Sequence, residues 1–262
     1  INLFISKMKQ NNVNITLAGG ETADVGDIVR TIDIGVTAFA RMPRNKIIKN
    51  DIMPDDVIVG LSSSGQSTYE NSYNSGIGSN GLTSARHDMF SNYLYNKYPE
   101  TFDPGTPKDL VYCGTKKLSD LDKETGMSYG KLLLSPTRTF LPVIKSILEK
   151  YFDNINGIIH CTGGGQTKVL NFINNIHVVK DNLFKTPKIF QIIQENSSTS
   201  WEEMYKVFNM GHRIEIYLEK EVANNVIEIA NNFNIDAQII GYCKSYNGKK
   251  LTIDSKYGNF EY

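Results

Sequence analysis

The chain has 262 residues, 40% of them hydrophobic, with 28 Lys and Arg against 28 Asp and Glu. The balanced charge lacks the basic surplus of a nucleic-acid binder, and no run reaches the roughly 18 apolar residues of a membrane span. A small-molecule partner is therefore expected, with no nucleic acid and no membrane, in the cytoplasm. Cys113, Cys161 and Cys243 are widely spaced and form no C-x-x-C pair, which argues against a disulfide framework or a zinc site.

The opening INLFISKMKQ places Ile1, Phe4, Ile5 and Met8 at i, i+3, i+4 and i+7, the spacing of an amphipathic helix. A chain that opens inside a helix, without an initiator Met, is expected to have lost something upstream. Residues 14–18 read as a short strand running into GGETAD at 19–24. There Glu21, Thr22 and Asp24 present two carboxylates and a hydroxyl at a strand end. Such carboxylates can hold Mg²⁺ shared with substrate phosphates; a solvated polar turn is the alternative. Residues 31–41 alternate through Ile32, Ile34, Val36 and Ala38, which predicts a half-buried strand. Pro43 and the polar run to Pro54 mark a break, and a domain boundary is placed near Asn50.

An apolar strand at 57–61 ends in SSSG at 62–65, and GSNG follows at 78–81. Ser63, Ser64, Ser79 and Asn80 can donate hydrogen bonds to a phosphate or polar ligand. Arg86, on the helix expected next, can bind an oxyanion bidentately. An ordinary Ser-, Asn- and Gly-rich loop is the alternative. Residues 98–130, with Pro99, Pro104 and Pro107, read as a surface excursion, either a lid or a decoration. Ser135-Pro136 looks like an N-cap with proline at the first helical position, ahead of an apolar face of Phe140, Leu141, Ile144, Leu148 and Tyr151. Pro142 would kink that helix in its second turn.

The chain is organised around GIIHCTGGGQTKV at 157–169. An apolar run enters Gly163, Gly164 and Gly165, and a helical pattern of Val169, Leu170, Phe172 and Ile173 follows. Glycines let a ligand approach the backbone, and a helix starting there would aim N–H groups and its positive dipole end at an anion. A tight strand-to-helix turn is the alternative reading. Beyond it, Thr186-Pro187 opens a helix, and Ser200 with Glu203 forms a capping box. A strand alternating through Ile214, Ile216 and Leu218, a helix over 221–233 and strands at 237–243 and 251–253 complete the chain. His160 and His177 lie among apolar residues and read as structural, whereas His87 and His212 adjoin Arg86 and Arg213 and are more open to function. No Ser/His/Asp spacing supports nucleophilic catalysis. Strands and helices mix without a strict βαβ rhythm, so the fold class is α+β.

In this order, GGETAD, SSSG with SNG, SPTR (135–138), HCTGGG and MYKVFNMG (204–211) resemble the phosphoribosylformylglycinamidine cyclo-ligase, or AIR synthetase, family. The long insertions at 66–77 and 98–130 resemble the variant form seen in some bacteria. The resemblance implies a two-domain architecture: residues 1–50 as the latter part of an ATP-binding α/β sandwich domain, and 51–262 as a C-terminal mixed-sheet domain with flanking helices. It implies ATP-dependent closure of formylglycinamidine ribonucleotide to aminoimidazole ribonucleotide, with ADP and phosphate released, Mg²⁺ as cofactor and a homodimer in the intact protein. Catalysis of that type rests on positioning and charge stabilisation. Glu21 is then the metal or active-site carboxylate and Asp24 a second candidate. Ser64, Gly65, Ser79 and Asn80 lie on the substrate-side loop, with Arg86 near it. Gly163, Gly164 and Gly165 cradle phosphate, and Asn209 and Gly211 line the same cleft. The chain departs from the family in carrying Gly78 where members have a His before SNG, with His87 as a conceivable replacement. It also lacks the family's glycine-rich nucleotide segment, so it is expected not to complete the reaction alone. A formylglycinamidine synthetase-like sister enzyme and a non-catalytic binding subunit are the competing readings.

Overall fold

The computed structural model describes every residue except Ile28. Its centre is a seven-stranded mixed sheet in the order β2-β4-β1-β5-β3-β6-β7. The strands are β1 (Val57–Ser62), β2 (Ile155–His160), β3 (Ile176–Lys180), β4 (His212–Leu218), β5 (Ala237–Ser245), β6 (Lys249–Ser255) and β7 (Gly258–Glu261). All neighbours are antiparallel except β3 and β6, which run parallel. The helices are α1 (Asn2–Gln10), α2 (Leu82–Met89), α3 (Tyr93–Lys97), α4 (Tyr129–Leu133), α5 (Leu141–Tyr151), α6 (Lys188–Ser197), α7 (Trp201–Val207) and α8 (Ala223–Asn232). This is the α+β class that the mixed pattern predicts, and no described helix is long and apolar enough to cross a membrane.

Both faces of the sheet are covered, because the strand residues alternate between two apolar layers. Val57, Val59 and Leu61 of β1 with Ile214, Ile216 and Leu218 of β4 pack against Val143 and Ile147 of α5 and Val226 and Ala230 of α8. On the other side, Ile58, Tyr217 and Ile240 join Ile189, Phe190 and Ile193 of α6 and Met204 of α7. Every residue of β1 and β4 is consequently buried, including the polar half of β4. Two close approaches require glycine. A Cβ at Gly60 would lie 2.8 Å from the Ile240 side chain, and one at Gly241 only 1.9 Å from the Val179 carbonyl oxygen.

Several local expectations match. Ser200 accepts a hydrogen bond from the Glu203 amide at 3.2 Å and so caps α7, and α1 forms where the opening periodicity places it. Other expectations fail for physical reasons. Residues 14–18 and 31–41 form no strand. The alternation at 31–41 is real, yet among the described residues no strand supplies backbone partners, and Ile32, Ile34, Val36 and Phe39 stand 85, 76, 76 and 87% exposed. The helix expected from Ser135 begins at Leu141, so Pro142 sits in the first turn, where its missing N–H costs nothing. The stretch 98–130 is not only a surface excursion: Val111, Tyr112 and Asp122 are buried, and Phe90 bridges Lys116. Strands β3 and β7 are additions to the elements expected from the sequence.

Replacing Gly241 by Ala is expected to cost about 3 kcal/mol, the upper end of overpacking penalties, seen as a lower urea midpoint at unchanged slope. An unchanged midpoint would contradict the close β3–β5 contact.

Candidate active site at one end of the sheet

The antiparallel order brings the ends of β1, β2 and β3 to the same side as the starts of β4 and β5. Four loops meet there. The Ser63 amide donates to the Gly211 carbonyl (2.9 Å), and the Cys161 amide to the Arg213 carbonyl (2.7 Å). Asn209 Nδ2 reaches the carbonyls of Gly76 (2.8 Å) and Ile77 (3.3 Å), while its Oδ1 accepts from the Gly211 amide (3.1 Å). The Asn80 side chain donates to the Val207 carbonyl. Gly163, Gly164 and Gly165 all have positive φ, of 31, 98 and 49°. Gly165 must be glycine, since its Cβ would lie 2.6 Å from the Tyr205 carbonyl oxygen. Gly163 and Gly164 face solvent, with nothing within 4 Å of a Cβ at Gly163. The chain after them is a seven-residue 3-10 turn, Gly165–Asn171, not the α-helix expected. It offers no helix-dipole site, and what remains for an anion is an open glycine backbone.

A buried polar network holds this end together. Lys180, at the end of β3, and Glu215, in the middle of β4, are both fully buried and form an ion pair. Lys180 Nζ also donates to the Gln166 carbonyl (2.8 Å) and Oε1 (3.1 Å). Gln166 in turn donates to the carbonyls of Asn209 (2.5 Å) and His212 (3.2 Å). The Glu215 carboxylate additionally contacts His212 Nε2 at 2.9 Å and accepts from the Tyr217 hydroxyl at 2.7 Å. Burial alone would raise the Glu215 pKa, but the Lys180 charge and its hydrogen bonds hold it well below the usual carboxylate range. Burial lowers the His212 pKa against the pull of Glu215. Burial also pushes the Cys161 thiol well up. Cys161, His212 and Glu215 bring three ligand-type atoms within 4.8 Å of one another. The Lys180 ammonium already occupies the place beside that carboxylate, and a metal cation would meet like charge there.

A second ion pair fixes the loop after β1. Buried Arg138, the last residue of SPTR, meets Glu70 with Nη2–Oε2 at 2.7 Å and Nε–Oε1 at 3.0 Å. Its Nη1 donates to the carbonyls of Ser62 (2.9 Å) and Ser64 (3.0 Å). Glu70 also takes the Ser67 amide at 2.7 Å. Burial opposes ionisation of Glu70, and the Arg138 contacts outweigh it, leaving its pKa lowered.

The structure thus gathers Ser64, Gly65, Gly163, Gly164, Gly165, Asn80, Asn209 and Gly211 at one end of the sheet, with exposed Ser79 on the same loop as Asn80. Asn80 and Asn209 have their side chains engaged by backbone carbonyls, so they set loop shape. Glu21 and Asp24 lie on an exposed stretch, where Asp24 Oδ1 accepts from the Gly26 amide at 3.2 Å; among the described residues no hydrogen bond or ion pair ties either to the glycine loop. Arg86 is on α2 as expected, turned toward the Tyr112 ring at 5.8 Å. His87 is buried, and its Nδ1 accepts from the Tyr112 amide at 3.4 Å. His160, expected among apolar residues, stands exposed at the end of β2, and desolvation of its ring with nearby Arg213 and Lys168 lowers its pKa. His177 bonds Thr252 at 2.8 Å, a structural contact. Lys180 and Glu215 were not legible as members of this network, because an alternating strand assigns its polar half to solvent, and Gln166 lies in the turn after the glycines, whose burial is set by distant loops.

The model of the family described as AIR synthase related protein, C-terminal domain, matches residues 53–254. The chain belongs to that family. Among curated relatives, the phosphoribosylformylglycinamidine cyclo-ligase of Methanocaldococcus jannaschii is 35% identical over 87% of this chain and 56% of its own length. That of Methanococcus vannielii is 31% identical over 94% of this chain and 65% of its own. The chain therefore spans less than two thirds of the relatives it matches. Among solved structures, T. maritima PurL complexed with FGAR aligns over 83% of this chain and 29% of its own, at 12% identity and a TM-score of 0.43.

For this AIR synthase related domain, Lys180→Met is expected to cost roughly 3–5 kcal/mol in urea unfolding, the penalty for leaving a buried carboxylate unpaired. Because the folded Glu215 pKa is depressed, its stabilisation is present above the ordinary value of 4.5 and lost as pH falls below it. Glu215→Gln should flatten that acid limb. A Lys180→Met variant as stable as the parent would contradict the pairing.

Proposed function

We propose that this chain is the C-terminal domain, residues 51–262, and the end of the ATP-binding domain, residues 1–50, of a phosphoribosylformylglycinamidine cyclo-ligase. The observation that supports it most is the convergence of SSSG, SNG, HCTGGG and FNMG on one end of one sheet, with the open glycines at its mouth. Names of the curated relatives agree with it. In this reading ATP phosphorylates the formyl oxygen of formylglycinamidine ribonucleotide. The neighbouring nitrogen then attacks that carbon, and phosphate leaves as the ring of aminoimidazole ribonucleotide closes, with ADP as the other product.

Each group on the chain has a task. Residues 163–165 let phosphate oxygens approach backbone N–H groups without a side chain in the way. Ser64, Gly65 and Ser79 face the substrate side, Arg138 fixes the shape of the Ser64 loop, and Asn80, Asn209 and Gly211 fix that of 207–211. Glu21 and Asp24 are exposed hard-oxygen donors, the chemistry that Mg²⁺ takes when it shares its shell with phosphates. They would hold the ion, which supplies charge neutralisation on the transferring phosphoryl group. A cytoplasmic homodimer is the proposed working form.

The test is ADP release from Mg-ATP by the gene product with and without formylglycinamidine ribonucleotide, alongside Glu21→Ala. Substrate-dependent release falling 100-fold or more in the variant, the scale of a lost electrostatic contact, is the expected outcome. Absence of any substrate-dependent ADP would overturn the assignment.

A further inference from the structure

Three cations are buried among the described Lys and Arg residues: Arg138, Lys180 and Arg213. Two have carboxylates, Glu70 for Arg138 and Glu215 for Lys180. Arg213 has none. Only 3% of it is exposed, yet among the described residues its guanidinium donates a single hydrogen bond, Nη2 to the Ile77 carbonyl at 3.1 Å. Its Nε is buried without a partner. Burying an unpaired guanidinium costs several kcal/mol, and a fold that tolerates this leaves the counter-charge to come from outside.

The surroundings fit an anion. Gly78, at φ 65°, lies directly against the guanidinium: a Cβ there would come within 1.3 Å of Nη2 and 2.1 Å of Cζ. Only glycine leaves room for the Arg213 guanidinium at this spot. The backbone carbonyl of Arg213 accepts the Cys161 amide, two residues before the open glycines, and Lys168 and Arg213 both lie near exposed His160. Ser63 Oγ, also buried and unpartnered, sits 2.6 Å from where a Cβ of Gly76 would be. The nearest acid in the strand, Glu215, is taken by Lys180, His212 and Tyr217.

We propose that Arg213 is the anion-binding residue of this chain, taking a phosphate-type oxyanion at the mouth formed by Gly78 and residues 163–165. This rests on the reading of that end as the substrate site, and it is independent of the ring-closing chemistry. Guanidinium suits the task because its planar fork matches two phosphate oxygens. Gly78 and Arg213 then act as a pair, the glycine making room for the cation.

Titration calorimetry of the full chain with inorganic phosphate, ATP and ribose 5-phosphate tests it, with melting temperatures measured in parallel. The expected result is saturable phosphate binding that weakens at least tenfold in Arg213→Met and less in Arg213→Lys. Without phosphate, Arg213→Met should melt at or above the parent temperature, because an unpaired buried charge is gone; phosphate should raise the melting temperature of the parent only. If Arg213→Met does not fold, Gly78→Ala decides: it displaces the guanidinium and should abolish phosphate binding. Equal phosphate binding in parent and variant, or none in the parent, overturns the proposal. Whichever of ATP and ribose 5-phosphate depends on Arg213 identifies the phosphate's source, and dependence by neither also overturns it. Failure of ring closure alongside Arg213-dependent phosphate binding would sink the cyclo-ligase assignment and leave this one standing.

Discussion

The contact between Lys180 and Glu215 joins the parts of this molecule that would otherwise be independent. It links β3 to β4, which are separated in the sheet by β1 and β5. It also passes through Gln166 to the carbonyls of Asn209 and His212. A pair buried this completely adds little net stability over a well-packed apolar substitute. Its effect is on shape: both charges need partners in one geometry, and that geometry places the glycine turn beside the FNMG turn. Arg138 and Glu70 do the same for the loop after β1, using the fork of one guanidinium to hold a carboxylate and two carbonyls.

With these two pairs in place, the chemistry of the open end is simple. The side chains of Asn80 and Asn209 are occupied with backbone, and the glycines contribute space and N–H groups. Most of these motif residues therefore set the shape of the loops, while Ser79, Gly163 and Gly164 stand exposed.

Much of the fold was legible in the sequence. The helical spacing at 1–8, the Ser200 and Glu203 cap, the strands at 57–61 and 237–243 and the helix near 221–233 follow from local chemistry, and the motif loops do converge. What was not legible depends on neighbours. Residues 31–41 alternate as a strand should, but pairing is a property of two segments, and among the described residues no strand pairs with them. In β4, Ile214, Ile216 and Leu218 declare one apolar face. Nothing local says that Arg213, Glu215 and Tyr217 face a second buried layer instead of water. His87 is buried and His160 exposed, the reverse of what their sequence neighbours suggest, since burial is set by loops distant in sequence. The 3-10 turn after the glycines shows the limit of helical spacing, which cannot distinguish a short tight turn from a sustained helix.

The central claim, that the buried ion pair sets the two loops, is tested most directly by amide hydrogen exchange in Glu215→Gln compared with the parent chain. The account predicts that protection falls at the Cys161 amide, which donates to Arg213, and at the Gly211 amide, which donates to Asn209, while amides in β6 and β7 keep theirs. Unchanged protection at both loops, or an even loss across the whole sheet, would contradict it.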